Sequence, residues 1–139
     1  MTATTRPERT GPRRAWSAVL WVLQVVTAAG FLLAALGKFS GAEPAASTFD
    51  AIGLGDWFRY FVGVLEVAGV VALFVPRLAG LAALAFVVLM AGAAPIELFL
   101  MGGSAVLPLA LLVLSAVIAW GRRGETARLR SQLARRRNA

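Results

Sequence analysis

Residues 57–75 read WFRYFVGVLEVAGVVALFV. A helix of about 20 residues is what a hydrocarbon core of about 30 Å requires. This run has that length and one acidic residue inside it, Glu66. At a rise of about 1.5 Å per residue, Glu66 falls near mid-depth. A bare carboxylate there costs on the order of 3 kcal/mol or more. The side chain must therefore face other helices, carry a proton, or have a partner. It reads either as a protonated packing group between helices or as a proton, ion or ligand site. Gly63 and Gly69 flank it at three-residue steps, a small-residue surface of the kind that lets helices approach closely. Arg59 stands two turns earlier on the same side.

Three further apolar runs surround this one. Residues 15–37 form the first, 78–97 the third and 104–120 the fourth. The first exceeds the 7–15 apolar residues usual in a signal peptide. Trp16 and Trp21 suit an interfacial anchor, so it reads as a span. The segment 38–56 reads as a loop rich in Gly, Ser and acids. Pro76 and Arg77 mark a tight turn. Pro95 is expected to end or kink the third helix, and Pro108 suits a first turn. Residues 1–14 read as a disordered basic arm and 121–139 as a basic tail. The tail either forms an amphipathic helix through Leu129 and Leu133, binding anionic lipid headgroups, or is a solvated topology determinant.

Composition agrees with a membrane. The 139 residues are 59% hydrophobic, above the roughly 45–50% of soluble domains, and mean hydropathy is +0.76. A chain this short cannot hide so much apolar surface from water. There is no Cys and no His, which removes disulfides, thiol chemistry, His-ligated haem and a Cys/His zinc site. No metal site and no nucleophile–base pair is legible, so the chain is not expected to be catalytic on its own. The net charge is +7. Without aromatics among the arginines after Trp120, the charge does not suggest nucleic acid.

The arginines set the expected orientation. Arg6, Arg9, Arg13, Arg14, Arg77, Arg122, Arg123, Arg128, Arg130 and Arg135 to Arg137 fall on one side of a four-span arrangement. Lys38 and Arg59 fall on the other, with Glu43, Asp50, Asp56 and Glu97. The positive-inside rule puts the first group, and both termini, in the cytoplasm. The expectation is an all-α, integral membrane four-helix bundle, N-in/C-in.

Gln24, Thr27, Phe31, Ala35 and Lys38 recur at three- or four-residue steps and share one face of the first helix. Gln24 is expected at the depth of Glu66, as its hydrogen-bond partner. Lys38, Arg59 and Glu97 are expected at outer helix ends. There they either form an ion-paired rim above a Glu66 pocket or, for Lys38 and Arg59, snorkel into headgroups. Ala91 to Ala94 reads as a close-packing patch, and Ser115 as bonded to its own helix backbone.

The stretch Ala35-Leu36-Gly37-Lys38-Phe39 is followed by Phe49, by Gly53-Leu54-Gly55 and by Tyr60-Phe61-Val62-Gly63-Val64-Leu65-Glu66-Val67-Ala68-Gly69. Then comes Leu73-Phe74-Val75-Pro76-Arg77-Leu78-Ala79-Gly80-Leu81-Ala82-Ala83. Together these cover most of residues 28–94 and resemble the DoxX-like family of small bacterial membrane proteins. The resemblance implies a four-helix bundle in the bacterial inner membrane. It also implies association with redox systems, the family name being shared with a subunit type of thiosulfate:quinone oxidoreductase. It singles out Lys38 and Glu66 as the family-like polar positions. Relatives often carry a polar or His residue late in the third helix; here Glu97 occupies that region.

Three functions follow as expectations. The first is an accessory subunit of a membrane redox or stress-response system, alone or as a homo-oligomer, whose polar pocket around Glu66 takes quinone or lipid. The second is a proton-coupled transporter using Glu66, similar in plan to small multidrug resistance transporters, though with its Glu on the second helix. The third is a structural scaffold.

Overall fold

The computed structural model describes residues 12–138, so the arm expected to be disordered lies, for residues 1–11, outside the described residues. Residues 12–14 are already helical. The helices are α1 (Pro12–Ser40), α2 (Ala45–Ile52), α3 (Gly55–Leu73), α4 (Ala79–Pro95), α5 (Val106–Gly121) and α6 (Arg123–Arg137). A π-helical turn, Ile96–Leu100, follows α4. The described chain is all-helical.

One connection differs from the sequence reading. The segment between the first two apolar runs contains α2, which docks Phe49 against Phe58 of α3 at a ring-centroid distance of 5.7 Å. The loop reading missed it because eight residues are too few for a clear period. Pro95 is the last residue of α4, at the place where the third helix was expected to end or kink. Lacking an N–H, it cannot bond the carbonyl one turn back, and the chain widens into the π turn, a common accommodation.

Helix α1 packs on α3, α3 on α4, α4 on α5, and α5 returns to α1. The pairing of α4 with α5 is the most extensive. Alanines make it close: α4 buries Ala79, Ala82, Ala83, Phe86 and Met90 at helical spacing. The core joins Ala82, Ala83, Phe86 and Met90 to Phe31, Leu73, Leu111 and Ile118. Phe31 and Phe86 stack with ring centroids 3.7 Å apart and planes 9° off parallel. The small residue opposite this stack is Gly69. A Cβ there would stand 2.5 and 2.6 Å from ring carbons of Phe86. Gly63 likewise faces the ring of Phe39. The two glycines are thus seats for aromatic rings of the neighbouring helices. Gly92, in the expected packing patch, has nothing within 4 Å, and Ala91 and Gly92 are exposed. The first half of that patch is an outer surface, whereas Ala93 packs against the core.

The long helices also present large apolar side chains outward. Val22, Leu33, Val64, Val71, Val88 and Leu107 are among them. An apolar surface on every side is a liability in water and a requirement in lipid. Residues 13–40 and 79–100 are each long and apolar enough to cross a membrane. Helix α3 has the length but carries Asp56, Arg59 and Glu66. Helix α5 has 16 residues and spans about 24 Å. It bends by 63° into α6. At this end Trp16 meets Trp120 edge-on at 6.2 Å, and Trp21 lies 6.2 Å from Phe74, as interfacial aromatics do. Helix α6 is strongly polar and its few apolar residues form no stripe. Leu133 is exposed, so the amphipathic-helix expectation does not hold, though the tail is helical.

Candidate functional site

Two contacts fix how α1 lies along α3. Close to the middle of α1, the Gln24 amide donates to the Leu73 carbonyl at the end of α3. Near the end of α1, Arg59 Nη1 donates to the Lys38 carbonyl at 2.6 Å. Both belong to one antiparallel register, and that register sets Phe31 at the level of Glu66. Gln24 is therefore seven residues, or about 10 Å, from the depth at which it was expected. It is not the partner of Glu66.

Lys38 is that partner. Its Nζ donates to Glu66 Oε1 at 2.9 Å. The lysine side chain is 14% exposed and the glutamate 1%. Lys38 thus turns inward along α3 and does not snorkel outward. Glu66 Oε2 is buried with no partner. The ion pair satisfies one oxygen and leaves the other as an acceptor. In a low-dielectric interior an unpaired polar atom is costly, so this oxygen is an unfilled valence of the site.

Arg59 is buried. Its Nη2 donates to Asp56 Oδ1 at 2.7 Å, and its guanidinium lies 4.8 Å from the Tyr60 ring centroid. By bonding the Lys38 carbonyl it satisfies one of the acceptors left open where α1 ends, with a cation at the negative end of the helix dipole. It also holds the backbone of Lys38 while the side chain of Lys38 reaches Glu66. Phe39 and Tyr60 stack beside the pair, ring centroids 6.2 Å apart. The Glu97 carboxylate joins no ion pair among the described residues, and the expected three-member rim is absent there. Glu97 sits half-buried in the π turn, its carbonyl accepting from Gly103 N at 3.0 Å.

A second polar cluster occupies the opposite end. Gln24 Oε1 accepts from Arg122 Nε at 3.1 Å and Nη2 at 2.8 Å. Arg122 Nη1 donates to Glu125 at 3.1 Å. One buried amide thus ties α1, α3 and the α5–α6 junction. The sequence assigned Arg122 only to topology, because a pairing across 98 positions leaves no local trace. Between the clusters, Thr27 Oγ1 and Ser115 Oγ are buried and unpartnered; Ser115 does not bond its own backbone. No group of three or more metal-ligating side chains occurs among the described residues. The surface cleft between α4, α5 and α6 and the one beside Trp16 and Trp120 are lined by neither Glu66 nor Lys38. An open pocket at Glu66 is thus not among them.

No curated protein and no solved structure matches the chain significantly. The two polar positions that the family resemblance singled out, Lys38 and Glu66, are the two that meet in the ion pair. The model of the DoxX-like family matches residues 22–121, which include both of them and all of α3, α4 and α5. By that match and by its outward apolar helices, the chain is a membrane protein belonging to the DoxX-like family.

Proposed function

We propose that this protein is a four-span bundle in the bacterial inner membrane, both termini cytoplasmic, serving as an accessory subunit of a membrane redox or stress-response system. Its polar centre is the Lys38–Glu66 pair, and its ligand is a quinone or lipid headgroup. The observation that carries this reading is the half-satisfied ion pair. Glu66 Oε2 lacks a partner, and Lys38 remains partly exposed beside the Phe39–Tyr60 stack. A lysine ammonium has three donors and uses one here. A quinone carbonyl can accept another while its ring lies against the aromatic pair. A ligand arriving this way approaches from the acidic, outer side and needs no cavity at Glu66 itself.

The competing reading, a proton-coupled transporter, relies on the same carboxylate. Its weakness is the Phe31–Phe86 stack, which fills the interior at the depth of Glu66 and separates it from the Gln24–Arg122 cluster. The accessory-subunit reading requires no path past those rings. A scaffold without a ligand is distinguished by experiment. Wild type, Lys38→Met and Glu66→Gln are purified into nanodiscs and titrated with a soluble ubiquinone analogue. Loss of binding in both variants, with folding intact, supports the proposal. Equal binding by all three, with unchanged co-purification of partner subunits, overturns it.

A further inference from the structure

The polar tail builds a cleft that the Glu66 site does not use. Helix α6 turns back over the start of α4, where Gly80 sits against Thr126 and the Arg122 backbone. Any side chain at position 80 would push the helices apart. Beside this contact lies a cleft of about 550 Å³. Its deeper wall is Leu84 of α4 and Ala119 of α5. Its other wall is one face of α6, where Arg123, Ala127, Arg130 and Ala134 follow at three- and four-residue steps. No acidic side chain lines it.

The charges of this cleft are uncompensated. Arg122, which does not line it, is the one that engages Glu125 and Gln24. Arg123 donates to the Trp120 carbonyl at 3.2 Å and lies 4.4 Å from the Trp120 ring centroid, contacts that leave its charge unneutralised. Arg130 joins no ion pair among the described residues. The cleft is therefore cationic toward the polar end of α6 and apolar toward the spans. It lies at the level of Trp16 and Trp120, where an aromatic belt marks the headgroup depth.

We infer that this cleft between α4, α5 and α6 binds one anionic phospholipid, its phosphate between Arg123 and Arg130 and the upper part of an acyl chain against Leu84 and Ala119. The volume lies within the range of small-molecule sites. Both walls match the two halves of a lipid, whereas free phosphate has nothing to place against Leu84. The lipid joins α6 to the spans by electrostatics and apolar contact at once. This inference depends on the membrane reading but not on the Lys38–Glu66 site, so either can fail alone.

The test uses the full chain in a neutral detergent, with dioleoylphosphatidylglycerol, dioleoylphosphatidylcholine and inorganic phosphate as probes and native mass spectrometry as readout. The wild type should retain one phosphatidylglycerol and release phosphatidylcholine. Arg123→Gln/Arg130→Gln should weaken retention by about 25-fold, from about 1 kcal/mol per arginine near an anionic surface. Arg136→Gln/Arg137→Gln removes equal charge from the far end of the same helix and should change retention less than threefold. Ala127→Leu, which fills the cleft without altering charge, should also release the lipid. Equal losses in the two arginine pairs would mean an unspecific basic tail and overturn the inference. So would displacement of the lipid by millimolar phosphate, or full retention by Ala127→Leu with α6 still helical.

Discussion

Arg122 and Gln24 stand 98 positions apart, yet Arg122 Nη2 lies 2.8 Å from Gln24 Oε1 in the interior. Arg122 is the hinge residue between α5 and α6, so its guanidinium sets where the tail helix begins. Gln24 holds that guanidinium because its own amide is fixed by the Leu73 carbonyl. The 63° bend is thereby anchored to α1 and α3.

Replacing Gln24 should loosen the tail. Gln24→Leu leaves the Leu73 carbonyl and part of Arg122 without partners, at a cost of about 2 kcal/mol. Hydrogen exchange of residues 123–137 should rise at least tenfold in detergent, while exchange in α4 changes little. Unchanged exchange in α6 would show that the Gly80–Thr126 contact alone holds it.

The Lys38–Glu66 pair should behave as a buried ion pair. Removing one partner of such a pair typically costs about 3–5 kcal/mol, because the other charge is stranded. Lys38→Met should therefore melt well below wild type. Lys38→Met/Glu66→Leu removes both charges and should recover most of the loss. Thermal melts of the three proteins in one detergent check this; a double variant no more stable than Lys38→Met would argue against coupling.

Two glycines on neighbouring helices should respond in opposite directions. Gly69→Ala drives a methyl into the Phe86 ring, which the Phe31 stack prevents from retreating. Overpacking of this kind costs about 1–3 kcal/mol. Gly92→Ala meets open space and should be neutral or stabilise by up to about 1 kcal/mol, the helix-propensity difference. The same melts read both.

Orientation is directly testable because the chain has no cysteine of its own. Ser47→Cys in α2 should react with an impermeant maleimide on intact cells. Ser131→Cys in α6 should react only after permeabilisation. Labelling of Ser131→Cys from outside would reverse the topology proposed above.

The apolar helices, their apolar exterior and the burial of Glu66 between helices were readable from residue order alone. Run length, hydropathy and the cost of a carboxylate in hydrocarbon are properties of single segments. Lys38 was legible too, through the Gly-Lys-Phe motif and its place at the end of the first helix. What the linear pattern lacked was the register between helices. Counting depth from the start of each apolar run placed Gln24 opposite Glu66. The folded chain slides α1 by about two turns, because Arg59 caps its end and Gln24 reaches Leu73. That displacement gives Glu66 a lysine and gives Gln24 an arginine from the far end of the chain. Helix formation depends on neighbours within four residues, and so the sequence determines it; which polar groups meet inside depends on how whole helices settle against each other, and only tertiary packing decides that.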